Sequence, residues 1–171
     1  MLSDKRIKKY FNIAKQVALE SDYSHNKVGC VLIYKNKIIS IGHNEKKSNT
    51  IQKYYNNYRS TKERTFNVDN HENYIHAEIQ CVNNATRTFK GDLSKCQLFI
   101  CRITKSGQIK LSKPCLACSK YLEDMGIKSI YYTTDNGWCY ERRERDNEIV
   151  IQNFNYHFIW NEFIVYGIGI L

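Results

Sequence analysis

Two short stretches decide how the chain is read: Ile75-His76-Ala77-Glu78 and Pro114-Cys115-Leu116-Ala117-Cys118. Together they hold an imidazole, two thiols, and a carboxylate two positions beyond the imidazole. A catalytic zinc takes three protein ligands and keeps its fourth position for water, so His76, Cys115 and Cys118 suffice as ligands and Glu78 remains as a proton carrier beside that water. The spacing predicts a helix from Ile75 to about Thr88 with His76 and Glu78 in its first turn. Pro114 suits the first position of a second helix, where its missing N–H would be unpaired anyway. Cys115 and Cys118 then follow at i and i+3 on one face. Both thiols fall in the first turn, where the helix dipole favours anions and lowers thiol pKa. Two thiolates cancel the charge of Zn²⁺, and the metal still makes a water acidic near neutral pH.

Each half alone is weak. His-x-Glu arises by chance in a chain of this length, and a lone Cys-x-x-Cys serves a structural zinc, a redox pair or two buried thiols. In this order, each opening a predicted helix, the two are far more specific. His-x-Glu followed by Pro-Cys-x-x-Cys resembles the signature of the zinc-dependent nucleobase deaminases, and the chain is similar to members of the cytidine and deoxycytidylate deaminase superfamily. The resemblance implies that His76, Cys115 and Cys118 bind Zn²⁺, that Glu78 is the catalytic acid/base, and that zinc-activated water attacks C4 of cytosine or C6 of adenine to release ammonia.

The 171 residues suit one domain with a proper core. Seven cysteines, an odd number with no regular framework of pairs, point to a reducing compartment, with two metal thiolates and five mostly buried thiols. Met1 to Lys5 carries no secretory signal, since a charged helix follows it, and cytoplasmic is the default. A formal net charge of +9 implies attraction to polyanions, either nucleotide phosphates or nucleic acid, unless it serves only solubility.

Ser3 caps a first helix that runs to about Ser21, with Ile7, Tyr10, Phe11, Ala14, Val17 and Ala18 on one face. Val28–Tyr34 and Lys37–Gly42 read as a hairpin around Lys35-Asn36. By the resemblance, Gly29-Cys30 falls where relatives place a Gly-Ala pair lining the base pocket, with Cys30 departing from the alanine. Gly42-His43-Asn44 resembles a strand-end Gly-x-Asn, making Asn44 the first choice for substrate binding. A peptide group near Ala77 or Cys115 is expected to orient the exocyclic amine.

Residues 45–74 have no clean period. Over 46–66, Lys46, Lys47, Lys53, Arg59, Lys62 and Arg64 interleave with Tyr54, Tyr55, Tyr58 and Phe66, a mix that suits single-stranded nucleic acid. A helical insertion packing its aromatics on the core is the preferred reading. His71 and Glu72 are weak ligands for a second metal. Gln97–Ile103 reads as a third strand, Thr104–Gln108 as a turn, and Ile109–Leu111 as the return toward Pro114, an excursion at the mouth of the site. A helix over Cys115–Met125 stops at Gly126. Ile127–Thr133 is a parallel strand, and Asp135-Asn136-Gly137 a tight turn. Glu141–Asp146 reads as solvated surface. Ile149–Ile151 and Phe163–Leu171 read as strands or core segments, the latter far too short to span a membrane. Trp138, Tyr140 and Trp160 are aromatic candidates near the site.

The expected fold is α/β: a single three-layer α/β/α cytidine-deaminase-like domain over 1–171 with a mixed sheet of about five strands. The resemblance covers about 3–135 and leaves 136–171 as an unassigned extension. Three functions compete: a deaminase of a free nucleoside or nucleotide, with cytidine or deoxycytidylate leading; a deaminase of tRNA, RNA or single-stranded DNA; and a catalytically silent zinc-stabilised nucleic-acid-binding protein. Glu78 argues against the last, because a structural zinc needs no proton shuttle. A homo-oligomer and no membrane contact are expected.

Overall fold

The computed structural model describes residues 2–67, 69, 72–143 and 149–155, with Gln152 the one side chain described in the last segment. The order is α1 (Asp4–Leu19), β1 (Lys27–Tyr34), β2 (Lys37–His43), α2 (Thr50–Lys62), α3 (Ala77–Thr88), a short 3₁₀ turn (Leu93–Lys95), β3 (Gln97–Ile103), β4 (Ile109–Lys110), α4 (Leu116–Asp124), β5 (Ser129–Thr134), β6 (Gly137–Arg143) and β7 (Ile149–Asn155).

The sheet has seven strands in the order β2-β1-β3-β5-β6-β7, with β4 paired to β3 off that path. The mixed sheet is as expected, with seven strands rather than about five: β4 is only two residues long, and β6 and β7 extend the sheet past the region of resemblance. Among the described strands only β3 and β5 pair in parallel, joined by the crossover through α4, while β1–β2, β1–β3, β5–β6 and β6–β7 are antiparallel. Lys35 and Asn36 turn the first hairpin with positive φ at both residues, as a two-residue primed turn requires.

Helices cover both faces. α1 lays Ile7, Tyr10, Phe11, Ala14, Val17 and Ala18 on Val31, Ile33, Phe99, Cys101 and Tyr131. α3 and α4 pack on the other face through Ile79, Val82, Ala85, Ala117 and Leu122 against Cys30, Leu32, Leu98, Ile100 and Ile130. The sheet thus separates the α1 core from the layer that carries the His76 and Cys115 segments.

Trp138 packs with Phe11 and Tyr131 in the α1 core, and Tyr140 lies against that cluster, so neither is near the ligand residues as expected. Trp160 and Phe163–Leu171 lie outside the described residues. The stretch expected to be solvated begins inside the protein. Glu141 is 3% exposed and pairs with Arg143 at 3.1 Å, and Arg143 also donates to the carbonyl of Ser119 in α4 at 2.6 Å. The charge pattern misled because a buried carboxylate is tolerated once paired.

Within 45–74, Thr50–Lys62 forms the helix that was preferred. The two ends of the insertion close on one another through Glu45 N–H to Ile75 O (3.2 Å), Asn49 N–H to Asn73 O (2.9 Å) and a bridge between Ser48 and Tyr74. Asn49 caps α2 by accepting from the Gln52 N–H. Tyr55 and Phe66 turn inward, while Tyr54 stays 68% exposed. Among the described residues no helix is long and apolar enough to cross a membrane. All seven cysteines are described, and none is in a disulfide.

Candidate active site

The helices that carry the two motifs begin two residues later than Ile75 and Pro114, the starts their sequence suggests. His76 is the N-cap of α3, with extended backbone (φ −84°, ψ 154°). Cys115 is the N-cap of α4, so Pro114 precedes the cap rather than occupying the first helical position. The Cys115 Sγ accepts from the Cys118 N–H at 3.5 Å, the place that a Ser or Asp oxygen takes in an ordinary cap. Cys118, in the first turn, is fully buried.

These two N-termini meet. The His76 Nδ1 lies 3.7 Å from the Cys115 Sγ and 3.3 Å from the Cys118 Sγ. The three ligand atoms lie within 4.8 Å of one another and form the one such metal-holding group among the described residues. Tetrahedral zinc with bonds of about 2.0–2.1 Å to nitrogen and about 2.3 Å to sulfur separates those atoms by roughly 3.5 Å, so the observed spacings fit that ion. Among the described residues Glu72 takes no part in a metal cluster, and His71 lies outside them.

The electrostatics fit a divalent cation as well. The Cys115 thiol is pulled down to about 4 by the Cys118 thiol, with His76 and the Cys118 N–H adding to this against the cost of burial. Cys118 moves the other way, pushed well up by burial and by the neighbouring Cys115 thiolate. The pair therefore holds one negative charge easily and resists a second until positive charge joins it. Burial works against the imidazolium of His76, but the hydrogen bond and charge of Cys115 outweigh it and raise its pKa. Glu78 is 5% exposed, and burial is the main cause that raises its carboxyl above the usual range.

A cavity of about 320 Å³ opens beside these groups, lined by His76, Ala77, Glu78 and Cys115 on one side and Tyr23, Asn26, Val28, Asn44, Arg102, Leu111, Ser112 and Lys113 on the others. Asn44 reaches it but is committed to the backbone: its Oδ1 accepts from the Val28 N–H at 2.8 Å and its Nδ2 donates to the Asn26 carbonyl at 3.1 Å. Ala77 lines the cavity as the first residue of α3, where the backbone N–H has no intrahelical partner.

Gly29 and Cys30 do not line it. Side chains alternate along β1, so Val28 faces the cavity and Gly29 faces α1, where an added Cβ would sit 2.1 Å from the Ala14 carbonyl. Cys30 lies in the core beneath the site, fully buried, its thiol raised by burial first and then by Glu78.

No motif in the sequence pointed to Arg102 or Lys113. Arg102 donates to Asn26 Oδ1 at 2.6 Å and to the Leu111 carbonyl at 3.4 Å, while its Nε is buried without a partner. Among the described residues neither cation is in an ion pair. The β3–β4 excursion is held at the mouth by buried Ser112, which donates to the Ile100 carbonyl at 2.8 Å and contacts Thr133 Oγ1 at 2.8 Å.

The sequence pattern of the family described as "Cytidine and deoxycytidylate deaminase zinc-binding region" matches residues 4–134. The chain belongs to that family. The deaminase of deoxycytidylate from the cyanophage S-TIM5, in its apo form, shares the fold with a TM-score of 0.54 at 19% identity, covering 78% of this chain and 86% of that one. Guanine deaminase from Bacillus subtilis (TM-score 0.43, 17% identity, 78% and 65% covered) and a mutant cytidine deaminase from Mycobacterium tuberculosis (0.44, 17%, 78% and 86%) align more loosely and add no argument. No curated protein matches the chain. Family membership places the chain among deaminases of the cytidine and deoxycytidylate type that carry a zinc-binding region.

Proposed function

We propose that this deaminase hydrolyses the exocyclic amine of a cytosine nucleoside or nucleotide with zinc as cofactor, releasing ammonia. The observation that carries the reading is the convergence of His76, Cys115 and Cys118 next to the buried carboxylate of Glu78, at the floor of a cavity. His76, Cys115 and Cys118 would hold the metal. When bound, zinc supplies the Lewis acidity that lets a water ionise near neutral pH.

Glu78 accepts the proton that the attacking water gives up, delivers it to the ring nitrogen, and serves the departing amine in turn. Burial suits both halves of this task, because a raised carboxyl pKa brings the protonated form closer to working pH. The N–H of Ala77 and the second amide hydrogen of Asn44 are the donors and the Val28 side chain the apolar wall that would orient the base.

Arg102 and Lys113 favour a nucleotide over a nucleoside. Both cations line the cavity, among the described residues neither has a carboxylate partner, and a phosphate would supply the missing charge. A polynucleotide gains less support, since Tyr55 and Phe66 of the basic insertion are buried and cannot stack on bases. The test is ammonia release by zinc-loaded protein from cytidine, deoxycytidine, their monophosphates, guanine, adenosine and a single-stranded oligonucleotide. Turnover of a cytosine monomer, abolished by Glu78→Ala, is expected. Activity confined to the oligonucleotide or to another base would refute the substrate assignment.

A further inference from the structure

A buried polar chain inside the insertion ends on the main chain of His76. Gln52 of α2 is 0% exposed, and its Oε1 accepts from the His76 N–H at 3.0 Å. Its Nε2 donates to Asn56 Oδ1 at 3.0 Å, one turn along α2, and Asn56 Nδ2 donates to Asn73 Oδ1 at 3.0 Å. A fully buried amide is tolerated only when its groups are paired, and these partners also fix its orientation. Exchanging the O and N of Gln52 would set a donor against the His76 N–H and an acceptor against Asn56 Oδ1.

The location matters because His76 is an N-cap without a side-chain cap bond. Its N–H lies outside the hydrogen-bond ladder of α3, so without Gln52 the peptide that carries the imidazole would be a part-buried donor without this partner. α2 is itself tied to α4: the Tyr55 hydroxyl donates to Asp124 Oδ2 at 3.0 Å, and its ring meets Tyr121 edge-on at 5.2 Å. One insertion helix thus touches the backbone of one metal-site residue and the helix that supplies the other two.

We propose that Gln52 is a positioning residue for the metal centre, holding the His76 main chain at the separation from Cys115 and Cys118 that zinc needs and so setting the affinity for the ion. This rests on the zinc reading above. Groups that orient a ligand from outside the metal's own shell change metal affinity about 10- to 100-fold when lost.

The experiment measures the zinc dissociation constant of the full chain by competition with a chromophoric chelator, together with thermal stability, for wild type, Gln52→Leu, Gln52→Met and Tyr55→Phe. Gln52→Met keeps the length of the side chain and serves if Gln52→Leu does not fold. Tyr55→Phe breaks the bond between α2 and α4 without touching His76. A loss of zinc affinity of about 10-fold or more on substituting Gln52, against less than about 2-fold for Tyr55→Phe, is expected. Equal zinc affinity in all variants, or an equal loss in both classes that tracks stability, would overturn the role of Gln52 while leaving the deaminase reading intact. A wild-type chain that binds no zinc would overturn both.

Discussion

The His76 Nδ1 lies 3.3 Å from the Cys118 Sγ across 42 residues of sequence, at the point where the N-termini of α3 and α4 converge. Each helix contributes its least internally bonded end, so the ligand atoms of two first turns meet in one small volume. That convergence makes the ligand set separable by mutation. Cys118→Ser and Cys115→Ser are each expected to remove zinc from purified protein, measured as metal per chain, and to abolish turnover. Retention of one equivalent of zinc in either variant would contradict the ligand assignment.

Zinc removal is expected to lower stability, because the ion binds only the folded arrangement. With free zinc at about 100 times its dissociation constant, the linkage amounts to about 2.7 kcal/mol. Thermal unfolding with and without a chelator reads it directly, and an unchanged melting temperature would argue against an ion shared between α3 and α4.

Gly29→Ala separates stability from chemistry. The new Cβ would stand 2.1 Å from the Ala14 carbonyl and 2.4 Å from the Ala18 nitrogen, both backbone atoms of α1. Overpacking of this kind costs about 1–3 kcal/mol or more, so a large loss of stability with normal zinc content is expected. Unchanged stability with weakened substrate binding would return Gly29 to the pocket.

Arg102→Gln and Lys113→Gln are expected to raise KM for a cytosine monophosphate about 10-fold each, consistent with losing one charge-assisted hydrogen bond, while KM for the matching nucleoside stays within about 2-fold. Steady-state kinetics on the two substrates checks this. Equal effects on both would show that neither side chain meets the phosphate.

The tie between α2 and α4 is expected to weaken in acid. Asp124 is held below its ordinary value of 3.8, first by the Lys120 ammonium at 2.8 Å, then by the Tyr55 hydroxyl, with burial opposing. A depressed folded-state pKa contributes stability that is present above 3.8 and lost as pH falls through the lower folded value. The pair is partly exposed, so the effect stays at or below about 1 kcal/mol. The stability gap between wild type and Asp124→Asn should narrow below that pH, and a gap that widens would contradict the assignment.

The meeting of His76, Cys115 and Cys118 was readable in the sequence because residue type and local spacing are written in consecutive residues and each half opens a helix. Helix α1 and the first hairpin followed from hydrophobic period and turn chemistry for the same reason. Gly29 was misplaced because the resemblance was applied to a pair of neighbours, although the two-residue period of a strand sends neighbours to opposite faces. Arg102 and Lys113 stand on the two sides of the β3–β4 turn, and only the fold brings them to one cavity. Gln52 belongs to no motif, and Glu141 looked like surface charge. Gln52 is buried against a partner 24 residues away, and Glu141 by its place in β6, and neither circumstance leaves a local signature.

The most direct test is ammonia release from deoxycytidylate by wild-type protein and Glu78→Gln at equal zinc content. The account predicts turnover in the first and a fall of about 10²- to 10⁴-fold in the second, the usual range for a proton-transfer group. Undiminished activity in Glu78→Gln with zinc in place would contradict it.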